Sequence, residues 1–240
     1  TACYSICPKN AIEMVRDKEG FLYPRVNKEK CINCGMCKRV CPILNKAELN
    51  NFKPRAYLFQ NKNEKIREDS TSGGFFSSIG EYVIENNGIV YGAAFDKNFA
   101  VNHEGATKLD ELKKFRKSKY VQSNQNDCFK EVKQNLEKGK LVCYSGTPCQ
   151  VGGLKSYLRK EYENLILIDI MCHSVPSPLV FEKYKNYILK KMNANKILNI
   201  NFRDKNNGWN DFSMSFIYKN GIILIMSSYF EYFLFMIGSR

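Results

Sequence analysis

Four closely spaced cysteines followed by a proline constrain this chain more than any other feature. Residues 31–42 read C-x2-C-x2-C-x3-C-P, which is the bacterial ferredoxin spacing for cubane 4Fe–4S clusters. The first three thiolates wrap one tight loop around a cluster, whereas the fourth points away from it. The run therefore predicts that cysteine thiolates of this chain bind 4Fe–4S clusters.

A partial copy of the run, C-x3-C-P, lies at the start of the chain. In two-cluster ferredoxins the fourth cysteine of each run ligates the cluster of the other run. This crossed rule gives one cluster a full set of ligands: Cys7, Cys31, Cys34 and Cys37. Cys3 and Cys41 are left for the other cluster. Its remaining ligands are expected before Thr1, so the chain is expected to begin inside a motif.

Zinc and disulfides are the other possible uses of these cysteines. Structural zinc sites typically set two C-x2-C pairs well apart or include histidine, whereas this chain has only His103 and His173. Ten cysteines in a chain with no visible signal peptide suit a reducing compartment, which disfavours disulfides. We therefore expect iron–sulfur chemistry and a cytoplasmic location.

The composition is that of a folded, soluble protein. The 240 residues are 44% hydrophobic and 25% charged, enough for a small module plus one domain of ordinary size. The net charge of +13 fits anionic clusters, a phosphate-bearing cofactor or an acidic electron-transfer partner, and equally a solvated lysine-rich surface. Basic residues are scattered and RNA-module signatures are absent, so nucleic acid is not an expected partner.

Residues 221–238 form the one membrane-like stretch, but it is borderline in length and has Glu231 at its middle. The Asn220-Gly221 pair before it is a hairpin signal. We predict a strand over 222–226, then the start of a buried helix, and no membrane insertion. The pattern is cut at Arg240, and a further C-terminal portion is expected.

The pattern predicts an α/β chain, α+β overall, with two domains. Residues 1–45 form a ferredoxin module with a hairpin between its cysteine runs, and residues 46–54 are a polar linker. Residues 55–240 begin with a strand over 56–60 and a helix over 75–85. Strands over 89–94 and 101–103, a short helix over 109–117 and a mixed or parallel sheet follow. His103 is predicted at a surface or a strand end.

Two strand–helix pairs in the second domain carry cysteines where their strands end. A strand over 141–145 leads into a helix reaching about residue 159, and a strand over 165–171 leads into one reaching about 192. This order implies parallel neighbouring strands, and ligands bind beyond the carboxyl ends of such strands. Cys149 and Cys172 are therefore expected side by side, as redox or cluster residues or as two unrelated thiols. Cys143 is predicted to be core.

Two polar segments are candidate cofactor contacts. Ser72, Gly73 and Gly74 precede a helix, where backbone N–H groups can bind phosphate, although such a turn is more often a plain helix cap. Residues 118–123 alternate polar and aromatic side chains. They are either an edge strand with a solvated face or a surface that meets an anionic cofactor.

These blocks together resemble the family of beta subunits of coenzyme F420 hydrogenases and dehydrogenases. The resemblance covers the chain from about residue 55 onward, after a ferredoxin module of the kind many members carry. The matching blocks are residues 70–74, 91–93, 118–123, 146–150, 169–173, 176–178, 202–205 and 208–209. Ser174 departs from the pattern, since the family usually has glycine after Cys-His.

The resemblance implies an FAD-binding domain that passes electrons between iron–sulfur clusters and a two-electron acceptor. In founding members this acceptor is coenzyme F420, and relatives reduce other substrates. Implied further cluster ligands are Cys149 and Cys172, with two more expected beyond residue 240. The flavin contacts implied are Ser72, Gly73, Gly74, Ser118, Lys119, Tyr120, Gln122, Ser123, Gly146, Thr147 and Pro148.

The sequence thus predicts an iron–sulfur flavoprotein oxidoreductase with a small-molecule acceptor and a redox partner protein or catalytic subunit. An electron-transfer module without a substrate of its own, docked to a separate catalytic subunit, is the first alternative. A binding or regulatory iron–sulfur protein is the second. No catalytic acid or base is identified; His173 is the only nearby candidate, and a structural role for it is equally compatible with the sequence.

Overall fold

The computed structural model describes residues 1–45, 53–206, 208–209 and 212–219, together with the backbone of 223–227. The helices are α1 (Ala2–Ile6), α2 (Met36–Arg39), α3 (Glu64–Asp69), α4 (Phe75–Glu85), α5 (Cys128–Glu137), α6 (Pro148–Leu158) and α7 (Pro178–Lys191). A 3-10 helix covers Leu109–Phe115. The strands are β1 (Ile12–Arg16), β2 (Leu22–Val26), β3 (Ile89–Phe95), β4 (Val101–Ala106), β5 (Val142–Gly146), β6 (Leu165–Asp169), β7 (Ile197–Asp204), β8 (Ser213–Tyr218) and β9 (Ile223–Ser227).

The strands form three sheets, of which the second organises the larger domain. Strands β1 and β2 make an antiparallel hairpin, and β7, β8 and β9 make an antiparallel meander. The four-stranded sheet has the order β4-β3-β5-β6, with β3, β5 and β6 parallel and β4 antiparallel at one edge. This mixed sheet confirms the predicted α/β class.

Local sequence signals set the ends of the two helices that follow the parallel strands. Helix α6 begins after Thr147 with a capping box, in which Thr147 and Gln150 cap each other's backbone, and has Pro148 in its first turn. Helix α7 begins after Ser177, whose hydroxyl accepts the N–H of Val180 at 3.2 Å. Both helices were predicted at these places.

The ferredoxin module shares a hydrophobic core with the larger domain. Ala2 and Val40 of the module are buried in one cluster with Phe129, Val151 and Leu154 of helices α5 and α6. Burial of apolar area is the main favourable term in folding. The module is therefore packed on the domain through its own cysteine-bearing helices.

Two predicted strands are not observed. Residues 56–60 have no regular structure, and Tyr57 and Leu58 are exposed, because this stretch pairs with no neighbouring strand in the described part of the chain. Residues 118–123 contain no strand either, although Asn124 makes a parallel bridge to Asn102 of β4. The strand predicted over 222–226 corresponds to β9. The helix predicted after it and most of the linker lie outside the described residues.

None of the helices in the described ranges is both long enough and apolar enough to cross a bilayer.

Candidate cofactor site

The two C-x3-C-P pieces fold alike. Helix α1 carries Cys3 and ends at Cys7, and helix α2 carries Cys37 one residue after its start and is followed by Cys41. The N–H of Cys7 bonds to the carbonyl of the residue three before it, and the N–H of Cys41 does the same. Equal spacing thus gives equal local structure, as the partial repeat predicts.

A tight loop presents the first three cysteines of the long run. Gly35 (φ +70°) and Asn33 (φ +53°) both occupy the left-handed region, which glycine and asparagine tolerate better than other residues. The N–H of Cys31 bonds to the carbonyl of Asn27 at 3.1 Å and fixes the start of the loop. Cys34 is exposed at the loop.

The module cysteines have the chemistry that a cluster needs. All six are free thiols, and none is buried. The N–H of Ala11 donates to the Cys7 sulfur at 3.2 Å, an interaction that stabilises a thiolate ligand and tunes cluster potential. Among the described residues, no group of three or more Cys, His, Asp or Glu side chains is gathered around one point as for a single metal ion. The ligand type, exposure and N–H···S contact fit 4Fe–4S clusters.

Polar contacts also fix the module on the larger domain. The Leu22 N–H of strand β2 donates to the Gln122 side-chain oxygen at 3.1 Å, and the Gln122 N–H donates to the Pro176 carbonyl at 3.0 Å. The Ser177 hydroxyl donates to the Glu19 carbonyl in the hairpin turn. Gln122, which the resemblance assigns to a flavin, therefore bridges the two domains, and sequence reasoning missed this contact.

Cys149 and Cys172 lie at the same edge of the four-stranded sheet. Gly146 at the end of β5 is paired with Asp169 at the end of β6, so the segments that follow leave the sheet side by side. Both thiols are exposed. Partial burial, followed by the negative charge of Cys149, raises the pKa of Cys172. Parallel pairing thus confirms that the two strand ends are neighbours; cluster or redox use of these thiols stays a prediction.

The Ser-Gly-Gly turn and the 118–123 segment meet as well. Gly74 (φ +84°) precedes helix α4, and a Cβ at Gly73 would lie 2.3 Å from the Phe59 carbonyl oxygen, so both positions require glycine. The Ser118 hydroxyl donates to the Thr71 hydroxyl at 3.2 Å. Ser72 is exposed beside them.

A cavity of about 630 Å³ adjoins this turn. Its lining includes Thr71, Lys117, Arg203, Lys205 and Trp209. The Lys205 ammonium lies 4.5 Å from the Trp209 ring centroid, and burial, then the charges of Arg203 and Lys117, lowers the pKa of Lys205. The Arg203 Nε–H is buried and has no acceptor among the described residues. A buried donor in a positive cavity fits a phosphate-bearing ligand such as FAD.

The prediction of His103 at a surface or strand end is wrong. This side chain is 5% exposed, and its ring stacks on Tyr144 with the centroids 5.3 Å apart. Its Nε2 lies 3.0 Å from the Ser145 carbonyl and must donate, so Nδ1 accepts from Gln125 (2.8 Å) and Ser123 (2.9 Å). Burial lowers the pKa of His103 to about 4. Alternation along β4 could have indicated this inward position.

The histidine network reaches the Gly-Thr-Pro turn. The Gln150 side-chain N–H donates to the Ser123 hydroxyl at 2.7 Å, and the Gln150 oxygen accepts the Thr147 N–H at 2.9 Å. The Tyr144 hydroxyl donates to the Gln125 oxygen at 2.9 Å. Ser123, Gly146 and Thr147 are thereby brought together in one network, which supports the turn from beneath.

The remaining candidates lie apart from this network or are core. Lys119 donates to the Arg116 carbonyl at 2.9 Å, and burial lowers its pKa to about 8. Tyr120 packs edge-on against Phe202. Cys143 is fully buried in β5, as predicted, and burial raises its pKa to about 12. Cys128 is equally buried at the start of α5.

Comparisons with known proteins match both parts of the chain. Residues 1–44 match the family described as 4Fe-4S dicluster domain. Residues 139–225 match the C terminus of the beta subunit, in the family described as coenzyme F420 hydrogenase/dehydrogenase.

Two curated proteins and one solved structure are similar to the chain. The F(420)H(2) dehydrogenase F subunit of Methanosarcina mazei is 21% identical over 213 residues, which cover 85% of this chain and 58% of that protein. An uncharacterized ferredoxin of Methanocaldococcus jannaschii is 51% identical over 41 residues, 17% of this chain and 24% of that protein. The xenon-derivatized F420-reducing [NiFe] hydrogenase complex of Methanosarcina barkeri contains a chain with 15% identity and a TM-score of 0.48, with 71% of this chain and 60% of that chain covered.

The family matches agree with the residues that suggested them. The dicluster match contains Cys3, Cys7 and the whole long run, and the beta-subunit match contains Cys149 and Cys172. The chain spans less than two thirds of the length of the curated relatives it matches. The chain belongs to the family of coenzyme F420 hydrogenase/dehydrogenase beta subunits, carries an N-terminal 4Fe-4S dicluster domain, and is an iron–sulfur electron-transfer protein.

Proposed function

We propose that the chain is an iron–sulfur flavoprotein oxidoreductase that passes electrons between its 4Fe–4S clusters and FAD, and on to a two-electron acceptor. In this proposal residues 1–45 are the cluster module, 46–54 the linker and 55–240 the flavin domain. The acceptor is coenzyme F420 or another small substrate. The similar Methanosarcina mazei protein belongs to an F(420)H(2) dehydrogenase, which supports the F420 choice.

The observation that carries the proposal is the cavity beside the Ser-Gly-Gly turn. It combines the orphaned Nε–H of Arg203, the ammonium groups of Lys117 and Lys205, and the half-exposed ring of Trp209. Guanidinium and ammonium groups bind phosphate through charge-assisted hydrogen bonds, and an aromatic face can contact a planar ring. Ser72, Gly73, Gly74 and Ser118 border this site from the turn side.

The cysteine groups supply the electron path toward that site. Helix α1, which carries Cys3, packs on helix α6, which carries Cys149 in its first turn. In the proposal Cys149 and Cys172 hold a further cluster at the sheet edge. Bound FAD supplies the exchange between one-electron and two-electron transfer. The chain's own part is to hold these groups in order and to exclude water between them.

The buried network around His103 has a positioning role in this proposal. Neutral His103 accepts from Ser123 and Gln125, and Gln150 connects Ser123 with Thr147. A fully bonded buried network keeps one arrangement, because each unpaired member would cost free energy. The network therefore keeps the Gly146-Thr147-Pro148 turn and the start of α6 in place.

A protein partner completes the proposal. The similar Methanosarcina mazei protein is one of the subunits of a dehydrogenase, and a subunit works together with others. We propose that a redox partner protein or catalytic subunit exchanges electrons with the exposed Cys34 loop of the module.

Flavin binding and turnover test the proposal. We expect the anaerobically purified chain to bind FAD and to reduce an artificial two-electron acceptor, with reduced methyl viologen as the donor. Arg203→Gln should weaken FAD binding about tenfold, because a charge-assisted bond is lost; Arg159→Gln, at an exposed position, is the control. Unchanged FAD affinity in Lys119→Ala would remove Lys119 from the site. A folded chain with clusters and no FAD affinity would reject the flavin proposal.

A further inference from the structure

A second cavity, of about 490 Å³, lies on the other side of the 117–119 segment. It is formed by the loop after β3, the end of the 3-10 helix with the residues that follow it, and the start of β7. Its volume falls within the range of small-molecule sites. The cavity that we propose for FAD shares only Lys117 with it.

The charge of this second cavity is strongly one-sided. Seven of its fifteen lining residues are lysine or arginine, and Asp96 is the only carboxylate. Asp96 is already engaged, since its Oδ1 accepts the N–H groups of Asn98 and Ala100. Lys114 and Arg116 are paired with Glu104 and Asp69. The lining lysines without an ion pair in the described part of the chain are Lys97, Lys113, Lys117, Lys119 and Lys196.

The floor of the same cavity is apolar. Phe95 and Phe99 contact each other edge to face at 5.5 Å, and Ile197 and Ile200 are buried at the start of β7. The Lys119 ammonium lies 5.7 Å from the Phe95 ring centroid, at the junction between the apolar floor and the basic rim. Lysines gathered around a concave apolar surface repel one another until an anion neutralises them.

The geometry points to a binding site for a small organic polyanion, with an aromatic or other apolar body and at least two phosphate, sulfonate or carboxylate groups. The floor of Phe95 and Phe99 receives the body, and Lys97, Lys113 and Lys196 meet the anionic groups. The concave shape selects a small molecule over the broad acidic face of a protein. This site is separate from the proposed FAD cavity, and its existence does not depend on flavin binding.

Fluorescence anisotropy with the aromatic trisulfonate pyranine tests the inference on the full chain. We expect saturable binding of one pyranine per chain at low salt, weakened by added NaCl because the contacts are ionic. Lys113→Gln/Lys196→Gln should weaken binding at least about tenfold, through the loss of two charge-assisted contacts. Lys138→Gln/Lys155→Gln removes the same charge from exposed positions outside the cavity and should leave binding unchanged.

Each other outcome overturns the inference. Equal weakening in the two double variants would make the binding a general effect of net charge, and no saturable binding would reject the site outright. A loss of FAD affinity in parallel with pyranine affinity would make the cavity part of the flavin site. Lys97→Gln/Lys196→Gln, checked by circular dichroism, gives the same decision if the first pair does not fold. Failure of FAD binding alone, with pyranine binding intact, would reject only the proposed flavoprotein function.

Discussion

The ferredoxin module and the sheet-edge network place polar and thiol groups in opposite ways. In the module, residues within eleven positions of one another form the Cys31–Cys41 loop and helix, and their side chains stay partly or fully exposed. Around His103, the participating residues come from β4, the 123–125 segment and α6, and the histidine is buried. Local spacing builds the first region, whereas sheet topology builds the second.

The difference decides how each region tolerates change. An exposed ligand loop costs little to refold without its cluster, but each thiolate is indispensable to the cluster that it holds. A buried network has no bound group to lose, yet every member supports folding, because an unpaired buried polar atom costs about 1–3 kcal/mol. Mutations should therefore separate cofactor content from stability.

The largest expected effect is on the cluster. Cys34→Ala should abolish the cluster of the long run, with a loss of about four iron atoms per chain and of the matching visible absorption. Iron and sulfide analysis after anaerobic purification measures this. Cys143→Ala changes a buried core thiol and should keep the iron while lowering stability. If both variants lost iron equally, cofactor content and stability would not be separable.

A core substitution where the two regions join comes next. Leu154 of α6 is fully buried in the cluster that contains Ala2 and Val40. Leu154→Ala should lower the free energy of unfolding by about 2–5 kcal/mol through lost burial and a cavity. Urea denaturation of the apo chain measures this, with Leu109→Ala, which is 48% exposed, as the control. Equal effects would mean that the shared core does not hold the module.

His103 should make stability depend on pH. Its pKa is about 4 in the folded chain and about 6.5 when unfolded, so the unfolded state binds more protons between these values. Its contribution is complete above pH 6.5 and is lost as the pH falls toward 4, by up to about 3 kcal/mol.

The pH effect is measured as a difference between two proteins. The stability advantage of the wild type over His103→Gln should shrink as the pH falls from 6.5 to 4. His173→Gln, at an exposed histidine, should show no such change. An advantage that stays constant over this range would contradict a neutral buried His103.

The smallest expected effect concerns the contact between the domains. Gln122→Ala removes the acceptor of the Leu22 N–H and should cost about 1 kcal/mol. Limited proteolysis should release the module sooner than in Gln134→Ala, a change at an exposed position on α5. Equal cleavage rates would show that the apolar contacts alone hold the module.

Sequence reasoning succeeded where chemistry is encoded locally. Cysteine spacing, the capping signals of α6 and α7, and the order of apolar strands were sufficient for the module and for the parallel pair β5 and β6. It failed for residues 56–60, whose apolar pattern pairs with no strand in the described ranges, and for His103. A histidine with polar neighbours in sequence gives no sign of its distant partners Ser145 and Gln125.

The most direct test of the central claim is the content of iron, sulfide and flavin per chain after anaerobic purification. We predict at least about four iron atoms with equal sulfide, for the cluster held by Cys7, Cys31, Cys34 and Cys37, together with bound FAD. Zinc in place of iron, or iron with no flavin in a well-folded sample, would contradict an iron–sulfur flavoprotein.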